Sequence, residues 1–221
     1  MKFYFNAAPN PAKVALMLEE LELPYEEVPV DTRKGQQHTP EFRAVNPNAK
    51  VPAIDDDGTV VFDSGAILLY LAQKHGRFLP PAEGMGEMLS WYFLIATGVG
   101  PYSGQAVHFT RAHTGSDYAT NRYVKEVQRH YQLFEDRLAG RDWIGGDDYG
   151  ICDIAGWGWF KMAGYVLEKQ GGLTPYPNLS AWFARVEARP AVARAKAMVG
   201  RHTFKTEMDE EALRSMFPQN Y

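Results

Sequence analysis

Two short stretches hold residues whose types and spacing suit the capture of a small peptide. The first is Asn46-Pro47-Asn48-Ala49-Lys50-Val51-Pro52-Ala53-Ile54. Proline has no N–H to give to a sheet ladder, so the Val51-Pro52 step suits a strand start where backbone stays open to a ligand. If that peptide bond is cis, the Val51 N–H and C=O face outward and can pair with a ligand's backbone like one more strand. The alternative is an ordinary turn proline. The second stretch is Val60-Val61-Phe62-Asp63-Ser64-Gly65-Ala66-Ile67-Leu68-Leu69-Tyr70-Leu71. It reads as a strand running into an apolar helix whose first turn should present free N–H groups to a carboxylate. Asp63 and Ser64 are equally well explained as plain N-cap residues. Together the two stretches point to a site for a small, extended, acidic peptide.

The elements that must position these groups follow from local pattern. Lys2 to Phe5 reads as a short strand, and Ala12 to Leu21 places Val14, Met17, Leu18 and Leu21 at helical spacing. Tyr25 to Pro29 returns as a strand, and Pro40 to Ala44 suits a brief helix. Val51 to Ile54 and Val60 to Phe62 flank Asp57-Gly58, a strong two-residue hairpin signal. The order is βαβ, a short helix, then ββα, which is a thioredoxin-like layout with a mixed sheet covered on both faces. Paired prolines in Phe78-Leu79-Pro80-Pro81-Ala82-Glu83-Gly84 mark a linker. Beyond it Val124, Val127, Tyr131, Phe134 and Leu138 recur at steps of three and four, as do Leu179, Trp182, Phe183 and Val186. The expected architecture is a thioredoxin-like N-terminal domain over residues 1–79, a linker at 80–86, an all-α helical bundle over 87–200 and a C-terminal tail at 201–221. The site would lie between the two domains. The tail either wraps a neighbour or frays.

Composition narrows the function classes. A chain of 221 residues, 45% hydrophobic and 13% aromatic, can bury two cores without staples. A net charge of -4 with no long basic run argues against a nucleic-acid partner. The single Cys152 excludes an internal disulfide framework. With no charged leader and no apolar run of membrane-spanning length, the expectation is a cytoplasmic protein with no membrane partner. His108 and His113 have no third ligand at metal spacing, so no metal is expected.

The pattern Asn-Pro-x-x-Lys-Val-Pro-x-Ile followed by Asp-Ser-x-Ala-Ile-x-x-Tyr-Leu resembles the glutathione-binding half of cytosolic glutathione transferases. Phe5-Asn6-Ala7-Ala8-Pro9-Asn10-Pro11-Ala12-Lys13-Val14 and Lys34-Gly35-Gln36-Gln37-His38-Thr39-Pro40-Glu41-Phe42 are similar to the bacterial nu class. The likeness continues through Trp143-Ile144-Gly145-Gly146-Asp147-Asp148-Tyr149 and Asp153-Ile154-Ala155 to about Met198. The resemblance implies that the cysteinyl part of glutathione sits at Val51 and Pro52, its γ-glutamyl carboxylate at Ser64 and its α-amino group at Asp63. Lys50 and Gln37 are then candidates for the glycyl end. Arg122 is a candidate to neutralise a glutathione carboxylate, although a helical arginine is commonly just a surface charge. Gly104 to Phe109 and Asn121 to Tyr123 fall where the family lines its second-substrate and inter-subunit side. The resemblance further implies a homodimer, with glutathione in reduced or disulfide form as co-substrate.

A glutathione thiol reacts as its thiolate and needs a nearby donor or positive potential. The nu-class wording Thr-Pro-Asn stands here as Ala8-Pro9-Asn10, so the family's hydroxyl is absent. Asn10 is left as the catalytic candidate, either donating its amide N–H to sulfur or serving only as a helix cap. This corner lacks a Cys-x-x-Cys pair, so redox work would run through glutathione sulfur. Cys152 lies in Gly150-Ile151-Cys152-Asp153, which resembles the family's helix-starting box with Gly150 replacing the hydroxyl residue, and its expected role is in folding. The implied activity is glutathione-dependent reduction of disulfide bonds or organic peroxides, with conjugation to electrophiles. The alternatives are a non-catalytic regulatory or binding protein of the same fold, or a glutathione-dependent dehalogenase or ether-cleaving enzyme.

Overall fold

The computed structural model describes residues 1–112 and 115–220. In chain order the regular elements are β1 (Lys2–Phe5), α1 (Pro9–Glu20), β2 (Glu26–Pro29), α2 (Pro40–Val45), β3 (Ala53–Asp56), β4 (Thr59–Phe62) and α3 (Ser64–His75). There follow α4 (Met85–Leu94), α5 (Gly100–Val107), α6 (Asp117–Arg137), α7 (Ile151–Phe160), α8 (Ala163–Val166), α9 (Pro177–Glu187), α10 (Pro190–Gly200) and α11 (Glu210–Met216). They form two compact units, one of residues 1–71 with the segment from Pro190 onward, the other of residues 72–189.

In the first unit the sheet order is β2-β1-β3-β4. β1 runs parallel to β2 and antiparallel to β3, and β3 pairs antiparallel with β4 through Ala53 opposite Phe62 and Ile54 opposite Val61. The β3–β4 turn has φ of +53° at Asp57 and +94° at Gly58, the two left-handed residues that a tight hairpin of matching twist demands. The thioredoxin-like layout expected from sequence is the one observed, with β1 where it was expected and the bounds of the other strands shifted by one or two residues.

The segment from Pro190 onward joins this unit rather than the helical bundle to which residues 190–200 were expected to belong. α10 packs on α1, where Arg194 donates to Glu19 Oε2 at 2.9 Å and to the Glu19 carbonyl at 2.7 Å. Arg201 and His202 pair with Glu27 on β2, and the Phe5 ring meets His202 and Phe204 edge-on. The tail therefore folds back on its own chain, anchored by Lys205 N–H to Asp31 Oδ2 at 2.8 Å and by Arg33 Nη1 to the carbonyls of Lys205 and Thr206. Periodicity shows that α10 owns an apolar face but not what that face covers. With α10 on it, α1 is buried continuously from Pro11 to Leu18.

The second unit is all-helical. Val127, Tyr131 and Phe134 of α6 and Leu138 at its C-cap are buried, as are Leu179, Trp182 and Val186 of α9. Three of them meet Phe160, whose ring lies edge-on to Tyr131, Phe134 and Trp182 at 4.9, 5.3 and 5.6 Å. Among the described residues no helix is long and apolar enough to cross a membrane.

Candidate functional site

Sheet topology decides which side chains can cooperate. Because β1 and β2 run together while β3 opposes β1 and β4, the C-terminal ends of β1, β2 and β4 and the N-terminal end of β3 lie at one end of the sheet. Asn10 follows β1, Gln37 follows β2, Lys50, Val51 and Pro52 precede β3, and Asp63 and Ser64 follow β4. Seven sequence candidates thus share one end of the sheet. The eighth, Arg122, is exposed on α6 in the other unit, where its charge helps lower the Glu126 carboxyl.

The Val51–Pro52 bond is cis, and the β3 ladder begins at Ala53. Among the described residues the Val51 N–H and C=O have no hydrogen-bond partner, which is what a backbone-recognising edge requires. Asn46, buried, shapes the loop leading to it: its Nδ2 donates to the Lys50 carbonyl at 2.6 Å, and its Oδ1 accepts from Asn48 N–H at 2.9 Å. That positioning role was legible in the Asn46-Pro47-Asn48 turn chemistry but was not singled out from sequence. The Lys50 side chain is exposed.

At the start of α3 one expectation needs correction. Asp63, at φ +73°, directs Oδ1 at Gly65 N–H (2.8 Å) and Ala66 N–H (3.1 Å), while Ile67 N–H bonds the Asp63 carbonyl. The first turn is therefore largely capped by its own aspartate, and the donors left for an anion are the N–H and hydroxyl of buried Ser64. A non-glycine residue held at positive φ is a strained arrangement of the kind found at ligand clamps. The second carboxylate oxygen of Asp63 accepts no hydrogen bond among the described residues and lies on an exposed side chain, open to a cation.

Beneath Ser64 lies a residue that sequence reasoning passed over. Lys13 of α1 is 3% exposed, and its Nζ donates to Ser64 Oγ at 3.4 Å. Burial pulls its pKa down to about 8, with the Asp63 charge acting in the opposite direction. Its one signal in the sequence was a lysine inside the apolar run from Pro11 to Leu18.

Asn10 is not a cap. The helix begins one residue earlier, with Pro9 in its first position and Ala8 as an N-cap that supplies no side-chain bond. Asn6 organises the approach instead, accepting from Ala8 N–H at 2.9 Å and donating to Thr32 Oγ1 at 3.0 Å. Asn10 sits half-buried in the first turn of a 12-residue helix, where the dipole favours an anion. Gln37 also departs from expectation. Its amide nitrogen donates to the carbonyls of Thr32 (3.1 Å) and Ser215 (2.9 Å), so both amide hydrogens are committed within the chain, and its buried Oε1 is an acceptor that cannot bind a carboxylate.

Cys152 is buried and donates from Sγ to the Met88 carbonyl at 3.3 Å, and burial pushes its thiol well above the usual range, as suits a structural cysteine. No group of three metal-ligating side chains occurs among the described residues, and His113 lies outside them.

Residues 1–73 match the family model of the glutathione S-transferase N-terminal domain, and residues 95–190 match that of the C-terminal domain. The chain belongs to the glutathione S-transferase family. The disulfide-bond oxidoreductase YfcG of Escherichia coli (strain K12) is 40% identical to this transferase-family chain over 208 residues, covering 89% of the chain and 95% of the relative. A second disulfide-bond oxidoreductase of that organism, YghU, is 35% identical over 213 residues, covering 89% and 74%. Among solved structures, a glutathione transferase family member from Pseudomonas fluorescens, crystallised with two glutathione bound, superposes with a TM-score of 0.82 at 36% identity, covering 88% of this chain and 91% of the other. The glutathione transferase URE2P6 from Phanerochaete chrysosporium, in complex with oxidised glutathione, gives 0.84 at 30% identity, covering 90% and 96%.

Proposed function

We propose that this protein is a glutathione transferase of the nu class that uses glutathione as co-substrate to reduce disulfide bonds and organic peroxides, with conjugation to electrophiles as a further outcome. The observation that carries the reading is the β3–β4 register: Ala53 opposite Phe62 sets the open backbone of Val51 and the donors of Ser64 at the same end of the sheet. That pair suits a short peptide with a carboxylate at one end. The relatives named above are oxidoreductases of disulfide bonds and transferases with glutathione bound, which supports the same ligand here.

What glutathione supplies when bound is its sulfur, a nucleophile as thiolate and an exchange partner as disulfide. The chain's residues bind and orient it. Val51 pairs with the cysteinyl backbone, the Ser64 N–H and hydroxyl receive the γ-glutamyl carboxylate, and the open oxygen of Asp63 takes the α-amino group. Lys50 offers charge to the glycyl carboxylate. Asn10 supplies an amide N–H toward sulfur at a helix N-terminus, compensating for the hydroxyl that Ala8 lacks. In the same proposal two copies form a homodimer, supported by edge strand β4, which leaves Val60 and Phe62 about two-fifths exposed.

Turnover of 2-hydroxyethyl disulfide with glutathione, followed through glutathione reductase and NADPH, tests the activity. The expected result is a rate above that of free glutathione, with Asn10→Ala lowering kcat roughly tenfold or more while changing affinity little. A wild-type rate equal to free glutathione, together with measurable binding, supports the second reading, a glutathione-binding protein without turnover, which Ala8 favours.

A further inference from the structure

The first turn of α3 raises a question of charge. A carboxylate seated at a helix start ordinarily draws on several free N–H groups, yet Asp63 Oδ1 already occupies those of Gly65 and Ala66. Asp63 also sets a negative charge beside the place the ligand's carboxylate would take. A compensating positive charge stands directly behind Ser64, in Lys13.

The hydrogen-bond inventory gives this placement a direction. An ammonium has donors and no acceptor, whereas a serine hydroxyl has a single donor hydrogen. While Lys13 Nζ donates to Ser64 Oγ, the Ser64 hydrogen must point elsewhere, and a ligand carboxylate is an acceptor placed to receive it. At neutral pH the lysine is mostly charged, since its pKa of about 8 lies above 7. Packing does not account for the residue: the space its stem fills could be taken by methionine, an unbranched apolar chain of similar length, without the cost of burying a charge.

We propose that Lys13 is a positioning residue for the γ-glutamyl carboxylate, turning the Ser64 hydroxyl outward as a donor and placing a buried positive charge behind the anion. This rests on the glutathione reading above. It extends the site by one layer, from residues that touch the ligand to the one that fixes how Ser64 touches it.

The test compares two ligands: glutathione, and 4-aminobutanoyl-cysteinyl-glycine, which lacks the carboxylate in question. Affinities are measured at pH 7 by calorimetry, with competition for the weaker ligand, in the wild type, Lys13→Met and Lys13→Gln. The expected result is that Lys13→Met weakens glutathione tenfold to a hundredfold, roughly the loss of a charged hydrogen bond, and changes the analogue by less than about twofold. Lys13→Gln, which keeps a neutral donor, should fall between. Equal loss for both ligands would reduce Lys13 to a structural part and overturn the proposal, as would no loss for either. Failure of the wild type to bind glutathione at millimolar concentration would instead remove the functional reading on which it stands. Thermal unfolding of both variants shows that a selective loss does not come from a damaged fold.

Discussion

Trp182 donates its indole N–H to Asp153 Oδ1 at 2.8 Å, deep inside the helical unit. The same oxygen accepts from Ile144 N–H at 2.9 Å, and Oδ2 accepts from Gly150 N–H at 2.9 Å. Three donors converge on one carboxyl with no exposed surface. Asp153→Asn replaces one acceptor with an NH2 group, and in either amide orientation a donor then faces a donor. The expected loss of stability is about 2–4 kcal/mol, read from urea unfolding.

The same residue gives a pH signature. Burial raises the Asp153 carboxyl from 3.8 to about 6, against the lowering effect of its three N–H partners. Its folded pKa lies above its unfolded one, so the folded state holds the proton in the interval between them. The contribution of Asp153 is full below about pH 3.8 and declines as pH rises through about 6. The Asp153→Asn penalty should therefore be greater at pH 4 than at pH 7. A penalty independent of pH, or one growing with pH, would contradict this.

Gly150 is the N-cap of α7, at the place where the resemblance leads one to expect a hydroxyl residue, and the structure supplies a reason. A Cβ built there would lie 2.9 Å from the Phe78 carbonyl oxygen, which also accepts from Ile151 N–H at 3.1 Å. Gly150→Ser, nominally an improved cap, should lower stability by about 1–3 kcal/mol because backbone must shift. A rise in the unfolding midpoint would show that the segment around Phe78 yields easily.

Lys13→Met should stabilise the protein as it weakens binding. Removing a buried charge whose pKa has fallen from 10.5 to about 8 is expected to add about 1–3 kcal/mol at pH 7. The sign reverses that of Asp153. Between pH 8 and 10.5 the unfolded chain holds the lysine proton that the folded chain has lost, so wild-type stability gains with pH there and the advantage of the variant fades. Paired unfolding curves at pH 7 and 10 measure the narrowing.

Ending the chain before Asp209 removes α11 and with it the Ser215 carbonyl that holds Gln37 Nε2 and His38 Nε2. Amides of residues 32–38 should then exchange roughly tenfold faster while those of β1 are unchanged. Unaltered exchange in that segment would mean that α11 rests on the turn without supporting it.

What could be read from sequence, and what could not, follows from where the determinants reside. The Asp57-Gly58 hairpin, the apolar helix after Asp63 and the α6 and α9 stripes were legible because side-chain type alone fixes φ sign or burial. Val51 and Ser64 were legible because proline and N-cap chemistry are local. The docking of the C-terminal segment was not, since its ion pairs, Arg194 with Glu19 and Arg201 with Glu27, join residues far apart in the chain, and its other ties include the carbonyls of Lys205, Thr206 and Ser215, which any residue carries. Lys13 stayed hidden for a related reason. A lysine beside one apolar stripe reads as solvated until the tertiary fold is known to bury it against Ser64. Capping by Asp63 was visible as a preference, but its consequence, that the first-turn N–H groups are already taken, needed geometry.

The central claim is that glutathione docks along Val51 and on Ser64, and hydrogen exchange of those two backbone amides measures it most directly. Both lack a partner within the chain among the described residues. With glutathione at 100 times its Kd, both should slow by roughly a hundredfold, and amides of α6 should not change. Unchanged exchange at Val51 and Ser64 while calorimetry shows glutathione bound would place the ligand elsewhere and contradict the account.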